Sequence, residues 1–175
     1  MPISDGYVEL VQGDITREAV DAIVNAANSG LRPGGGVDGA IHRVAGPELA
    51  EACRRIGGCP TGEARITPGF RLPARYVIHA VGPIWRGGNH NEDELLASCY
   101  RNAMKLADEH NLTSISFCSI STGVYGFPLK RAARIAIDTL RDMAVRYPRI
   151  KTIRMVTFGD DSWRAYADVM QDYLD

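Results

Sequence analysis

The sequence predicts an α/β protein in three layers, with helices on both faces of a sheet that is largely parallel in its later part. Three observations carry this prediction. Short β-rich runs alternate with amphipathic helical stretches along the chain. No internal repeat, low-complexity tract or Pro/Ser linker interrupts the alternation. Two glycine-rich segments each follow a strand and precede a helix. At 175 residues the chain has the size of one ordinary domain, expected to span 1–175, and needs no staple to bury a core.

The strands come first. Tyr7–Val11 alternates with period two. Ala22–Asn25 is a short run with both faces apolar enough for burial. Tyr76–Val81, Ser114–Cys118 and Ile153–Phe158 are rich in β-branched and aromatic residues, and Glu63–Thr67 is a weaker strand, nearer an edge. The helices follow the 3.6-residue period. After Pro128, read as a first helical residue, Leu129, Ala132, Ala133, Ala136, Leu140, Met143, Ala144 and Tyr147 share one face. Leu95, Cys99, Ala103, Leu106 and Ala107 mark a second helix, and Leu49, Ala52, Cys53 and Ile56 a third. Trp163 to Leu174 closes the chain. In open α/β sheets ligands bind beyond the carboxyl ends of strands, so the loops there are the informative ones.

Composition narrows the function. A formal net charge of −1 gives no reason to expect binding along a nucleic-acid backbone. No apolar run is long enough to span a bilayer, and the first residues lack a signal peptide's basic and apolar regions, so a cytoplasmic address without membrane attachment is expected. Cys53, Cys59, Cys99 and Cys118 form no C-x-x-C pair and no zinc-finger spacing. They read as reduced thiols, Cys99 and Cys118 as packing residues, and neither a metal site nor a cofactor is expected.

The first glycine loop runs from Asn25 through Asn28, Ser29, Gly30, Leu31, Arg32, Pro33, Gly34, Gly35, Gly36, Val37 and Asp38 to Gly39, before a helix-like segment at Ala40–Ala45. The second runs from Ser119 through Ser121, Thr122, Gly123, Val124, Tyr125 and Gly126 to Pro128. Glycine brings backbone N–H groups close to a ligand, and with a helix N-terminus these form an anion site. Two such loops suit a diphosphate held from both sides; turn formation alone is the plainer alternative. Gly34-x-Gly36-x-x-Gly39 also matches the dinucleotide fingerprint, but eight residues separate Asn25 from Gly34 and Asp38 stands in the turn. No Walker motif is present.

At these residues the sequence resembles the macrodomain family, and within it the MacroD-type ADP-ribosyl hydrolases and O-acetyl-ADP-ribose deacetylases. The resemblance rests on Gly13-Asp14-Ile15-Thr16, Asn25-Ala26-Ala27-Asn28, Gly34 to His42, Cys59-Pro60-Thr61-Gly62, His79-Ala80-Val81-Gly82-Pro83 and Ser121 to Gly126, in order along essentially the whole chain. It implies a three-layer α/β/α macrodomain with a central mixed, largely parallel sheet and ADP-ribose in a cleft on the sheet's crest. By position, Asp14 would accept from the adenine amine, with the Ile15 N–H nearby and Phe158 against the base. An ionised carboxylate accepts only, which suits an amine-bearing edge. Asp14 as a turn or helix cap, and Phe158 as core packing, are the competing readings. Gly34, Gly35, Gly36 and Val37 on one side, and Ser121, Thr122, Gly123, Val124 and Tyr125 on the other, would bind the diphosphate. Tyr125 would also cover the distal ribose, unless it is an exposed loop aromatic.

Asn28 would then hydrogen-bond ribose hydroxyls, and Asp38 would orient or deprotonate the attacking water, without metal or covalent intermediate. Asp38 as a turn carboxylate capping the helix from Gly39 is the competing reading. The resemblance implies O-acetyl-ADP-ribose and proteins mono-ADP-ribosylated on Asp or Glu as substrates, hence reversal of that modification, with ADP-ribosylated proteins as partners. His42 reads as structural and His79 as a packed strand residue. The Trp85–Asn91 loop is given no role. Arg32-Pro33 stands where related sequences often carry a smaller residue or glycine. A non-catalytic ADP-ribose reader is the alternative function, and a nicotinamide-dependent oxidoreductase a third, disfavoured by the loop placement.

Overall fold

The structure, a computed structural model, describes residues 3–174. Seven strands form one sheet: β1 (Ile3–Ser4), β2 (Glu9–Gln12), β3 (Ala22–Ala27), β4 (Ala64–Pro68), β5 (Tyr76–Val81), β6 (Ser114–Phe117) and β7 (Thr152–Thr157). Their spatial order is β1-β2-β7-β6-β3-β5-β4. The five inner strands are mutually parallel; β1 and β4 lie antiparallel at the two edges. The predicted mixed, largely parallel sheet is therefore present, and the weaker strand near Glu63 does lie at an edge.

Five helices cover the sheet: α1 (Gly36–Ala45), α2 (Pro47–Ile56), α3 (Glu92–Glu109), α4 (Leu129–Arg146) and α5 (Asp160–Leu174). The chain moves toward one edge of the sheet through α1 and α2, and toward the other through α3 and α4. Right-handed crossovers then place the two pairs on opposite faces. α5 packs beside α4 and against β2. The core lies between the layers. Ile23, Val24, Val77, Ile78, Ile115 and Phe117 fill it from the strands, and Ile41, Leu49, Leu96, Met104, Ile137, Leu140 and Tyr166 from the helices. The alanines Ala132, Ala133 and Ala136 let α4 approach the sheet closely.

Several boundaries differ from the periodicity. Tyr7 lies outside β2 because the Asp5 carboxylate accepts the N–H groups of Tyr7 and Val8 at 2.8 and 2.9 Å, closing a turn before the strand. Pro128 caps α4 rather than joining it: its ψ of 125° is extended, while its carbonyl accepts from Ala132 at 2.9 Å. The helix after the first loop starts at Gly36, four residues before Ala40, so Asp38 lies in its first turn. Phe158 falls just past the end of β7.

Because β2, β3, β5, β6 and β7 all run the same way, their carboxyl ends share one edge of the sheet. Both glycine loops therefore emerge side by side there, together with the turns after β2 and β7. No helix among the described residues is long and apolar enough to cross a membrane.

Candidate functional site

Asp38 is 6% exposed, and its carboxylate is the fixed point of the site. Oδ1 accepts from the Asn25 Nδ2 amide at 2.6 Å, and Oδ2 from the Gly34 N–H, also at 2.6 Å. These short, charge-assisted bonds use about half of a carboxylate's accepting capacity, leaving it able to take a hydroxyl or water. Asp38 does not cap α1: it lies inside the first turn, the N-cap Gly35 receives no side-chain bond, and Gly34, whose N–H it accepts, precedes the helix. His42, one helical turn on, holds Nε2 3.5 Å from Oδ1.

Asn25 is held in turn from behind. Parallel register sets Asn25 on β3 beside His79 on β5, and Asn25 Nδ2 also lies 3.2 Å from His79 Nδ1. His79 Nε2 is 3.0 Å from the Thr67 hydroxyl. An amide N–H can only donate, so Nδ1 accepts and Nε2 carries the proton toward Thr67. Burial, reinforced by His42, pushes the His79 pKa down to about 3, which keeps the ring neutral in this role. Cys53 lies 3.7 Å from the same ring, and burial and the Asp38 charge raise its thiol to about 11. His79 is therefore more than a packed strand residue. The available signal was a polar residue inside each of two apolar strands, because buried polar groups must find partners.

Asn28 does not bond Asp38. Its Nδ2 donates to the Arg32 carbonyl at 2.7 Å and its Oδ1 accepts the Arg32 N–H at 3.1 Å, closing the loop on itself. The two side chains nevertheless meet over Gly34, where a Cβ would stand 3.2 Å from Asp38 Oδ2 and 3.6 Å from Asn28 Nδ2. Gly39 is required by crowding, since a Cβ there would lie 2.6 Å from the Gly34 carbonyl. Gly34, Gly35 and Gly36 are exposed, Val37 is half-buried, and the N-terminus of α1 opens at this point.

The second loop is braced on several sides. Phe127 N–H donates to the Ser121 carbonyl and Gly126 N–H to the Gly123 carbonyl, both at 3.0 Å. Thr122 donates to Ser119 Oγ at 2.8 Å, and Tyr166 supports the same hydroxyl at 2.9 Å. Ser121 has a left-handed φ of 67°, and its buried hydroxyl has no hydrogen-bond partner. Gly82 is obligatory here: a Cβ would come within 2.1 Å of Ser121 Oγ and 2.5 Å of Ile120 Cγ2. Gly123 and Val124 are exposed and Tyr125 is half-buried.

The Trp85–Asn91 loop, which the sequence left without a role, holds this second loop. Trp85 N–H donates to the Tyr125 carbonyl at 2.9 Å, and its ring packs on Phe127 with centroids 4.8 Å apart. Arg131 lies over the Trp85 ring at 5.0 Å and pairs with Asp93 through both nitrogens. Glu92 organises the loop's backbone. Burial opposes its ionisation, yet the N–H groups of Arg86, Gly88 and His90 at 2.6–3.0 Å hold it at about 2.

At the far end of the edge, Asp14 begins a 3-10 turn at Ile15–Arg17. Its Oδ1 accepts from both the Thr16 hydroxyl and N–H, which holds the carboxyl below its usual range. Oδ2 makes no such bond, so capping occupies only half the carboxylate. Phe158 is 84% exposed and close in sequence to the Gln12–Asp160 contact that ties β2 to α5. Core packing is thereby excluded for it. A large exposed aromatic at a strand end beside an ionised acceptor is the arrangement a planar heterocycle would use.

An acceptor and an aromatic, two glycine-rich loops and a fixed carboxylate thus lie along one edge of the sheet, at the carboxyl ends of its parallel strands. The macro domain family model matches residues 24–136, and the chain belongs to this family. It is 55% identical over 163 residues to an O-acetyl-ADP-ribose deacetylase of Escherichia fergusonii, covering 91% of this chain and 92% of that protein. Among solved structures it is similar to the Oceanobacillus iheyensis macrodomain with ADP, at 44% identity and a TM-score of 0.92, covering 99% of this chain and 96% of that one. It is also similar to the Trypanosoma brucei macrodomain in complex with ADP-ribose, at 44% identity and a TM-score of 0.87, over 93% and 68% of the two chains.

Proposed function

We propose that this protein binds ADP-ribose along the cleft and hydrolyses esters at its distal ribose, in O-acetyl-ADP-ribose and in proteins mono-ADP-ribosylated on Asp or Glu. Adenine lies at Phe158 with its amine on Asp14 and the Ile15 N–H nearby. The diphosphate lies between Gly34–Val37 and Ser121–Tyr125, where the Ser121 hydroxyl lacks a protein partner. The distal ribose reaches Asn28 and Asp38, with Tyr125 above it. Binding alone is supported by the family's ADP and ADP-ribose complexes.

The observation that carries the catalytic part is the placement of Asp38. A site that only reads a dianionic ligand gains nothing from a buried carboxylate beside the phosphate-binding turn, because like charges repel. A hydrolase uses such a group to hold and polarise water against an ester carbonyl. The Asn25 amide and the Gly34 N–H fix it without protonating it, so it retains the acceptor character a base requires. The water's proton passes to Asp38, its oxygen adds to the acyl carbon, and the ribose hydroxyl leaves with a proton. No step in this scheme needs a metal or a covalent enzyme intermediate.

The reader alternative is separated by chemistry. Purified protein is expected to release ADP-ribose from a glutamate-modified protein and acetate from O-acetyl-ADP-ribose, both in excess of the spontaneous rate. Tight ADP-ribose binding with neither release would replace the enzyme by a reader.

A further inference from the structure

The first glycine loop also lines a groove of its own. The loop's Gly30–Pro33 segment, Ala50 and Arg54 of α2, and Gly57 just after that helix enclose this groove of about 390 Å³. The floor is apolar, with Leu31 buried and Ala50 half-buried. Arg32 and Arg54 stand exposed on its two sides. The Arg32 stem is packed over Gly30, its Cγ and Cδ 3.6 and 3.7 Å from where a Cβ would be, and Pro33 removes backbone freedom next to it.

Charge at this end is unbalanced. Arg54 and Arg55 share one carboxylate, Glu51. Arg32 makes no ion pair among the described residues, and neither does Arg43, whose Nη1 lies 3.2 Å from the Cβ position of Gly39. Of the two arginines that line the groove, Arg54 thus shares Glu51 with Arg55, and Arg32 has no ion-pair partner among the described residues. The groove adjoins the reacting end of the cleft and not the adenine end, because Arg32 is the residue whose backbone clamps the Asn28 side chain. A group esterified to a ribose held at Asn28 would therefore lie near Arg32.

We infer that this groove is a subsite for acidic side chains flanking the modified residue of a protein substrate, so that the protein selects ester-linked ADP-ribose set in acidic segments. This rests on the proposed hydrolase reading. Guanidinium forks suit carboxylates, and the apolar floor accommodates the side chain's methylenes. At about 390 Å³ the groove has room for one or two side chains.

The test uses two glutamate-ADP-ribosylated peptides, identical except that the flanking residues are Asp/Glu in one and Ser/Asn in the other. O-acetyl-ADP-ribose and an ADP-ribosylated oligonucleotide serve as controls. Wild type is expected to favour the acidic peptide by about tenfold in kcat/KM, mostly through KM, with the preference shrinking as salt rises. Arg54→Ala should reduce the preference, and Arg32→Ala with Arg54→Ala should bring it to about one. O-acetyl-ADP-ribose turnover by Arg54→Ala should stay at the wild-type level. Equal use of both peptides by wild type, a preference that survives in the double variant, or an oligonucleotide more dependent on the arginines than the acidic peptide would each overturn the inference. If wild type hydrolyses none of these esters, the hydrolase reading fails separately. The subsite is then decided by calorimetric affinity for the acidic against the neutral peptide, in wild type and double variant.

Discussion

Two residues show how far single side chains carry the account. His79 is buried, neutral and bonded at both ring nitrogens, so its folded pKa of about 3 lies below the ordinary value of 6.5. Below pH 6.5 the unfolded chain takes up a proton that the folded chain refuses. The stability due to His79 is therefore complete above pH 6.5 and is lost as pH falls toward 3, by at most roughly 1.4 kcal/mol per unit. Urea unfolding should show His79→Gln less stable than wild type at pH 7 by roughly 1–3 kcal/mol, the cost of a disturbed buried network. The gap should narrow steadily toward pH 5; a gap independent of pH would mean that His79 titrates normally in the fold. Phe158 is the opposite case, a large side chain that supports no core. Phe158→Ala should leave stability within about 0.5 kcal/mol. It should weaken ADP-ribose binding roughly fivefold or more, as loss of base stacking does, read by calorimetry. Unchanged affinity would remove the adenine from this position.

At the scale of elements, the site is a set of loops held by the strands behind them. Gly82, at the end of β5, leaves room for Ser121 and Ile120 of the loop after β6. Gly82→Ala should push that loop outward, costing about 1–3 kcal/mol by overpacking. It should weaken ADP-ribose binding as well, and a thermal melt and a titration on the same sample read both effects. Lower stability with undiminished affinity would show that the second loop does not grip the ligand. The glycine loops themselves were legible in the sequence, because strand, glycine turn and helix succeed one another without interruption. The bracing was not. Trp85 acts through the Tyr125 carbonyl and the Phe127 ring, 40 or so residues away, and no local pattern encodes such a contact. The helix start at Gly36 was also missed, since glycine is a poor helix former and three in succession read as loop.

At the scale of the molecule, the layer arrangement followed from hydrophobic periodicity and the resemblance together, whereas the strand order did not. Strands buried on both faces, such as β3, look alike wherever they lie in a parallel sheet, so periodicity alone does not order them. The Asn25–His79 pair depended on that order: the two residues lie 54 apart and meet only because β3 and β5 are neighbours in register. The sheet's direction then gathers every candidate residue at one edge, and we propose that Asp38 turns this edge from a binding surface into an ester hydrolase. Single-turnover release of ADP-ribose from a glutamate-modified protein by wild type and Asp38→Ala, with ADP-ribose affinity measured on the same preparations, tests it most directly. The expected result is a rate lowered by about a hundredfold or more, as for loss of a general base, with binding retained. An Asp38→Ala protein that binds ADP-ribose and releases it at the wild-type rate would contradict the account.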